Sequence, residues 1–174
     1  MAQFKVYGPF RIDLEKRPGG RVILDQEFWQ SHRKLTDLRT RAGVYVFAIK
    51  SSGGNNFTPY YVGQATKSFD REIFTPDKLV KFYSALSHFE RGFPVLFLVV
   101  APKKKGPTNK REIRQIEDNF IRLAYSVNPE IENAQGIKQP RWSISGVIRS
   151  KTTRRSLSAK RFTEMFELGV GGRR

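Results

Sequence analysis

The sequence predicts an α+β fold, with a small, mainly antiparallel central sheet of about three strands flanked by helices. Residues 43–50 and 59–63 are β-prone segments on either side of the turn-forming run 51–56, which indicates a hairpin. Residues 94–100 are almost unbrokenly apolar, as is typical of a strand buried on both faces. Apolar residues recur at helical spacing after Asn109 and predict a long helix behind the sheet.

The first forty residues are interpreted as an N-terminal extension. Residues 3–7 and 21–24 are expected to form short strands, separated by a turn rich in proline and glycine. Asp25 is a candidate cap for a helix over residues 26–38, in which apolar side chains recur at helical spacing.

Residues 41–134 are interpreted as the main domain. After the hairpin, residues 66–74 and 78–91 are expected to be helical, with Pro76 as the break between them. The long helix begins at Asn109, which has a glutamate three residues later, the spacing of a capping box. Asn128-Pro129 ends this helix.

Residues 135–174 are interpreted as a basic C-terminal extension. They hold ten lysines and arginines against Glu164 and Glu167, a net charge of +8. A short strand is expected near Trp142 and a final helix over residues 159–168. This segment therefore carries half of the positive excess of the whole chain.

The charge of the chain favours a polyanionic partner. There are 32 lysines and arginines against 16 acidic residues, a formal net charge of +16, which fits nucleic acid or an anionic membrane surface. No long amphipathic face joins the basic residues near the end, so we expect nucleic acid and no membrane. The absence of cysteine excludes disulfides and thiolate metal sites and makes the cytoplasm the expected location.

Few residue types remain for chemistry. Only two histidines are present, which excludes a His-rich metal site. Glu117 lies beside the apolar stripe of its helix, so it is either a metal ligand or a border residue paired with Lys or Arg. Tyr45 and Tyr61 can face each other across the hairpin, as functional residues or as a packed pair. Arg71 is either functional or a solvated surface residue.

Taken together and in order, these residues resemble the GIY-YIG nuclease family over about residues 41–134. The triplet GVY stands at 43–45 and YVG at 61–63, and an arginine follows the second glycine by eight residues. The later glutamate and asparagine match the metal-binding glutamate and the asparagine of that family. The matching residues are Gly43, Tyr45, Tyr61, Gly63, Arg71, Glu117 and Asn133.

The resemblance implies metal-dependent hydrolysis of DNA by an activated water. Glu117 would hold one Mg²⁺ or Mn²⁺, and Arg71 would stabilise the phosphoryl charge. Tyr45 would orient or deprotonate the water, while Tyr61 would position Tyr45 or the phosphate. The ordinary pKa of tyrosine, about 10, demands nearby positive charge if Tyr45 is to ionise. The two motif glycines would allow close backbone approach.

The chain departs from the family pattern in two places. Fifteen residues separate the two tyrosines, more than is usual, and the turn at 51–56 can absorb the difference. The family often has a His, Lys or Tyr shortly after the arginine, and here this assisting residue is left open. The candidates are Lys67, Lys78, Tyr83 and His88.

The remaining basic residues are expected to contact DNA phosphates and to give affinity without sequence choice. The candidate contacts are Lys67, Lys78, Lys103, Lys104, Lys105, Arg149, Lys151, Arg154 and Arg155. A basic DNA- or RNA-binding module on the same scaffold, with little or no catalysis, is the alternative function. The chain is expected to act as a monomer or a homodimer.

Overall fold

The structure is a computed structural model and describes residues 2–52, 56–89, 92–103, 109–134, 145 and 156–165. The chain divides into two compact units, residues 1–136 and 137–174. Each unit is described by itself.

The first unit contains six strands and five α-helices in its described part. In chain order the elements are β1 (Lys5–Arg11), β2 (Leu14–Arg17), β3 (Gly20–Ile23), α1 (Asp25–Phe28), α2 (Arg33–Leu38), β4 (Gly43–Lys50), β5 (Phe57–Ala65), α3 (Phe69–Glu72), α4 (Pro76–Ser87), β6 (Phe93–Val100) and α5 (Lys110–Val127), followed by a 3₁₀ turn at Glu132–Ala134. The main sheet has the order β1-β6-β4-β5 with antiparallel neighbours, and β2 and β3 form a separate hairpin. The predicted α+β class is confirmed, with four strands in the main sheet instead of about three.

Helices cover both faces of the main sheet. Alternate residues of β4 point to opposite faces. Phe47 belongs to one buried cluster together with Phe82 of α4, and the two rings stack with centroids 4.2 Å apart. Val44 belongs to a second cluster with Ile113 of α5. β4 and β6 are therefore interior strands buried on both faces, which explains the apolar run at 94–100.

The fourth strand of the sheet comes from the predicted N-terminal extension. β1 pairs along β6, with Lys5 opposite Val100 and Tyr7 opposite Leu98. Farther on, Arg21 of β3 donates hydrogen bonds to the carbonyl of Leu86 in α4 at 2.7 Å and to the carbonyl of Phe89, just after α4, at 2.6 Å. The segment before residue 41 is thus built into the first unit by pairing between distant parts of the chain.

The helix predicted over residues 26–38 is divided into α1 and α2. His32 lies between them in an extended conformation, and its Nδ1 accepts a hydrogen bond from the backbone N–H of Lys34. This side-chain cap starts α2 and interrupts the longer helix. Asp25, predicted as a cap, is instead the first residue of α1, and Leu24 at the cap position forms no side-chain capping bond.

The two later helices follow local sequence signals. Pro76 begins α4 instead of only separating two helices, because proline fits the first turn of a helix, where its missing N–H is not needed. Asn109 caps α5 as predicted, accepting hydrogen bonds from the backbone of Arg111 and Glu112. The end of α5 at Asn128 also agrees with the prediction.

The second unit is described only in its helix α6, Leu157–Met165. The strand expected near Trp142 lies outside the described residues. No helix in the described part of the chain combines the length and the apolar character that crossing a membrane requires.

Candidate active site

The site is organised by the contact between Tyr45 and Gly63. These residues are directly opposite each other on β4 and β5. A Cβ atom at Gly63 would lie 2.4 Å from both Cζ and the hydroxyl oxygen of Tyr45. The end of the phenol therefore rests on the glycine, and only glycine leaves room for it there. As a result, the Tyr45 hydroxyl reaches β5, an edge strand of the main sheet.

Tyr45 and Tyr61 are diagonal neighbours on the same face of the sheet. The residue opposite Tyr61 is Phe47, so the two tyrosines do not form the direct cross-strand pair that the sequence suggests. Their ring centroids are 6.0 Å apart. Both side chains are buried, and the Tyr45 hydroxyl makes no hydrogen bond of normal geometry with the described residues, although the Tyr61 hydroxyl lies close enough to affect its pKa. A buried hydroxyl without a partner is costly for stability, which is a common feature of functional sites.

The charges around Tyr45 favour its protonated form. Burial raises the pKa of Tyr45 far above its ordinary value, and Tyr61, Glu72 and Glu117 raise it further. Positive charge acts on the neighbouring tyrosine instead. Burial also raises the pKa of Tyr61, but the ammonium group of Lys78 partly offsets this rise. The positive charge needed to ionise Tyr45 is thus not supplied by the described residues.

Glu117 approaches the same edge from the other side of the sheet. It lies on α5, which packs on β5, and its side chain is half-buried. Burial raises the pKa of Glu117, as does Asp118, whereas the nearby backbone of Gln64 lowers it. The carboxylate therefore lies beside Gln64, the residue that follows the glycine under Tyr45.

The described residues offer Glu117 no ion-pair partner. Arg114 and Lys78 lower its pKa at a distance, but neither forms a salt bridge with it. No described Lys or Arg therefore forms the border pair with Glu117. Within the described part of the chain, Glu117 is a half-buried carboxylate beside the Gln64 backbone, without a cationic partner.

Asn133 holds the outer edge of β5. Its side-chain oxygen accepts a hydrogen bond from the N–H of Val62, and its amide nitrogen donates one to the carbonyl of Val62, both at 2.6 Å. Asn128 donates a further bond to the carbonyl of Pro59 at 2.9 Å. These side chains satisfy backbone groups that an edge strand would leave open, and they fix the strand that carries Tyr61 and Gly63.

We expect the Asn133→Ala variant to lose about 1–3 kcal/mol of unfolding free energy, because two buried backbone groups of Val62 lose their partner. Urea unfolding of the full chain measures this loss. The matched control is Asn119→Ala, at an exposed position on α5, for which we expect a change within about 0.5 kcal/mol. An equal loss in the two variants would contradict the role of Asn133.

Gly43 serves packing at the start of β4. A Cβ atom there would lie 2.1 Å from the carbonyl oxygen of Val99 and 2.9 Å from Cζ of Phe69. Glycine thus lets β4, β6 and α3 approach each other closely. Its contribution to the site is indirect, since the same close approach holds the short helix that carries Arg71.

Arg71 is exposed on α3 and forms no hydrogen bond or ion pair with the described residues. The helix itself is fixed by the buried Phe69 and by backbone bonds from Phe69 to Arg41 and from Asp70 to Arg39. Arg71 is thus available to a ligand at the surface. No side-chain hydrogen bond, ion pair or cation–π contact joins it to either tyrosine or to Glu117 among the described residues.

Of the four candidates for the assisting residue, Lys78 is the one placed at the tyrosines. Its Nζ lies 5.8 Å from the centre of the Tyr61 ring. His88 is an exposed residue at the end of α4. The Tyr83 hydroxyl instead accepts a hydrogen bond from the N–H of Ile23 at 3.0 Å, and Lys67 is exposed before α3.

Two residues near the tyrosines are not among those singled out from the sequence. The Nζ of Lys81 lies 5.0 Å from the centre of the Tyr61 ring, and Glu72 raises the pKa of Tyr45. Lys78 and Lys81 are three residues apart on α4 and so share a face of the helix. That spacing is the signal by which Lys81 could have been found.

The expected DNA contacts are only partly described. Lys67 and Lys103 are exposed, and Lys78 is half-buried at the tyrosines. Six further candidates lie outside the described residues: Lys104, Lys105, Arg149, Lys151, Arg154 and Arg155. Within the described part of the chain, no three His, Asp or Glu side chains form a group that could hold a metal ion, so a cation at Glu117 would have a single carboxylate from the described residues.

Comparison of the chain with protein-family models, with curated proteins and with solved structures gives no match.

Proposed function

We propose that this chain is a divalent-metal-dependent endonuclease that hydrolyses DNA phosphodiester bonds in the manner of the GIY-YIG family, which its motif residues resemble. The observation that carries the proposal is that Tyr45 rests on Gly63 while Glu117, on the opposite face, lies beside the backbone of the next residue, Gln64, close enough to raise the pKa of Tyr45. These two side chains come from opposite faces of the sheet, and core packing alone does not require this proximity.

Glu117 fits the metal that this chemistry requires. It is a half-buried carboxylate without an ion-pair partner among the described residues. Mg²⁺ is commonly bound by one or two carboxylates, with waters and substrate phosphates as the other ligands. When bound, Mg²⁺ or Mn²⁺ supplies Lewis acidity to the phosphate and stabilises the leaving oxygen.

The other residues position the reactants. Because burial raises the pKa of Tyr45, we assign to its hydroxyl the orientation of the attacking water by hydrogen bonding, in preference to removal of the proton. The hydroxyl is suited to this role since it makes no hydrogen bond of normal geometry with the described residues. Arg71, exposed on α3, stabilises negative charge on the phosphoryl oxygens. Lys78 places a positive charge at Tyr61.

DNA is the proposed substrate because the chain has a net charge of +16, and a polyanion binds such a surface with strong salt dependence. The same charge supports the alternative, a DNA- or RNA-binding module with little catalysis. The two functions differ in whether a phosphodiester bond is broken.

Incubation with supercoiled plasmid tests the proposal. We expect the full chain to nick or linearise the plasmid with Mg²⁺ or Mn²⁺ and to leave it intact in EDTA. Gel electrophoresis separates the three plasmid forms, and a gel-shift assay in EDTA measures binding. Binding without cleavage in either metal would contradict the nuclease and support the binding module.

A further inference from the structure

A cleft of about 380 Å³ lies toward the β1 edge of the main sheet, across the sheet from β5. It is formed where the start of β1 meets the end of β6, together with the residue before the start of β4 and the chain that follows β6. The lining residues are Gln3, Lys5, Tyr7, Arg41, Val100, Ala101, Pro102 and Lys103. None of the residues that match the GIY-YIG pattern lines it.

The cleft is strongly positive. Three of its lining residues, Lys5, Arg41 and Lys103, are cationic, and the lining contains no aspartate or glutamate. None of the three cations forms an ion pair with a described residue. Like charges held together without an acidic partner indicate a site for an anion.

Arg41 is held in place as a binding group. Its Nη2 donates a hydrogen bond to the carbonyl of Ala101 at 2.6 Å, and the backbone N–H of Ala101 bonds to Ala42. This anchor leaves the other N–H groups of the guanidinium available, in a planar array suited to phosphate oxygens. The side chain is half-buried, so little freedom would be lost on binding.

The register of the sheet fixes how far this cleft lies from the tyrosine site. Lys5, Val100, Gly43 and Ala65 form one row across the four strands, and the row two residues along, on the same face, contains Tyr7, Leu98, Tyr45 and Gly63. β1 and β5 are three strand spacings apart, roughly 14 Å. Along duplex DNA, this distance corresponds to about four base pairs.

We propose that the cleft binds a phosphate of the DNA backbone several nucleotides from the bond that is cut. The inference rests on the proposed function in taking DNA as the polyanion, but it does not require cleavage. A phosphate held there would fix the duplex at both edges of the sheet and so set its direction across the tyrosine site.

The test is the salt dependence of DNA binding by the full chain. Labelled duplex is titrated in EDTA, by fluorescence anisotropy, at several salt concentrations. For the Lys5→Gln/Lys103→Gln variant we expect roughly tenfold weaker binding. We also expect the slope of log K against log salt to become shallower by about 0.9, the value for one phosphate contact. The matched control is Lys16→Gln/Lys34→Gln, which removes two exposed cations from β2 and α2.

Adding Arg41→Gln to the Lys5→Gln/Lys103→Gln variant should leave the slope of log K against log salt as shallow, or make it shallower. Circular dichroism shows whether each variant is folded. An unchanged slope in the folded Lys5→Gln/Lys103→Gln variant would overturn the proposal. So would an equal loss in the control, which would mean that only net charge matters. Tight binding of inorganic phosphate alone, with unchanged DNA binding, would identify a free-phosphate site and also overturn it. Failure of the nuclease proposal is seen separately, in the plasmid assay.

Discussion

The Glu117→Gln variant is expected to cleave plasmid DNA at least about a thousandfold more slowly than the wild-type chain in Mg²⁺. The amide keeps the size of the side chain but removes the charge that holds the cation. A thousandfold loss corresponds to about 4 kcal/mol of transition-state stabilisation, within the range that a metal ion contributes. Initial rates of nicking, with enzyme in excess over plasmid, measure the effect.

The matched control for this variant is Asp118→Asn. Asp118 is the neighbouring carboxylate on α5 and is exposed, so the control removes the same charge from the same helix. The native Asp118 carboxylate raises the pKa of Glu117, so replacing it with an amide makes Glu117 easier to ionise. We expect the control to cleave at nearly the wild-type rate. Equal rates for Glu117→Gln and wild type, with both proteins folded, would remove Glu117 from the mechanism.

Protonation of Glu117 should weaken metal binding. A carboxylate must be ionised to bind Mg²⁺, and burial raises the pKa of Glu117 above its ordinary value. Protons therefore compete with the metal at higher pH than they would at an exposed glutamate.

Local sequence patterns predicted the individual strands and helices of this fold better than they predicted which strands pair with each other. The apolar run at 94–100 and the cap at Asn109 depend on neighbouring residues only, and both are found as predicted. The sheet has one strand more than expected because β1 joins it by pairing with β6, whose paired residues lie 84 to 95 positions farther along the chain. Such pairing leaves little trace in the sequence near either strand.

The candidate site was predictable in its residues and not in its geometry. Residues two apart on a strand share a face, so the sequence places Tyr61 and Gly63 together. Which of them lies opposite Tyr45 depends on the register, and the hairpin turn and an irregularity after Phe47 set that register. The sequence also could not indicate that burial and nearby carboxylates raise the pKa of Tyr45.

The position of Tyr45 over Gly63 leads to a prediction that does not depend on the proposed function. We expect Gly63→Ala to destabilise the chain by about 1–3 kcal/mol, the usual cost of an overpacked core. The added methyl would lie 2.4 Å from the end of the Tyr45 phenol. Neither residue can move easily, since Tyr45 is fully buried and β5 is held by Asn133. Urea unfolding measures the loss.

A double-mutant cycle with Tyr45→Leu separates this clash from other effects of the alanine. Shortening Tyr45 leaves a cavity and is destabilising by itself. It also removes the atoms that the new methyl would strike, so the alanine should then cost little or fill part of the cavity. We therefore expect the double variant to be more stable than the sum of the two single losses predicts, by about 1 kcal/mol or more. Additive losses would mean that the phenol does not rest on Gly63, and the geometry by which Tyr45 reaches the edge of β5 would be wrong.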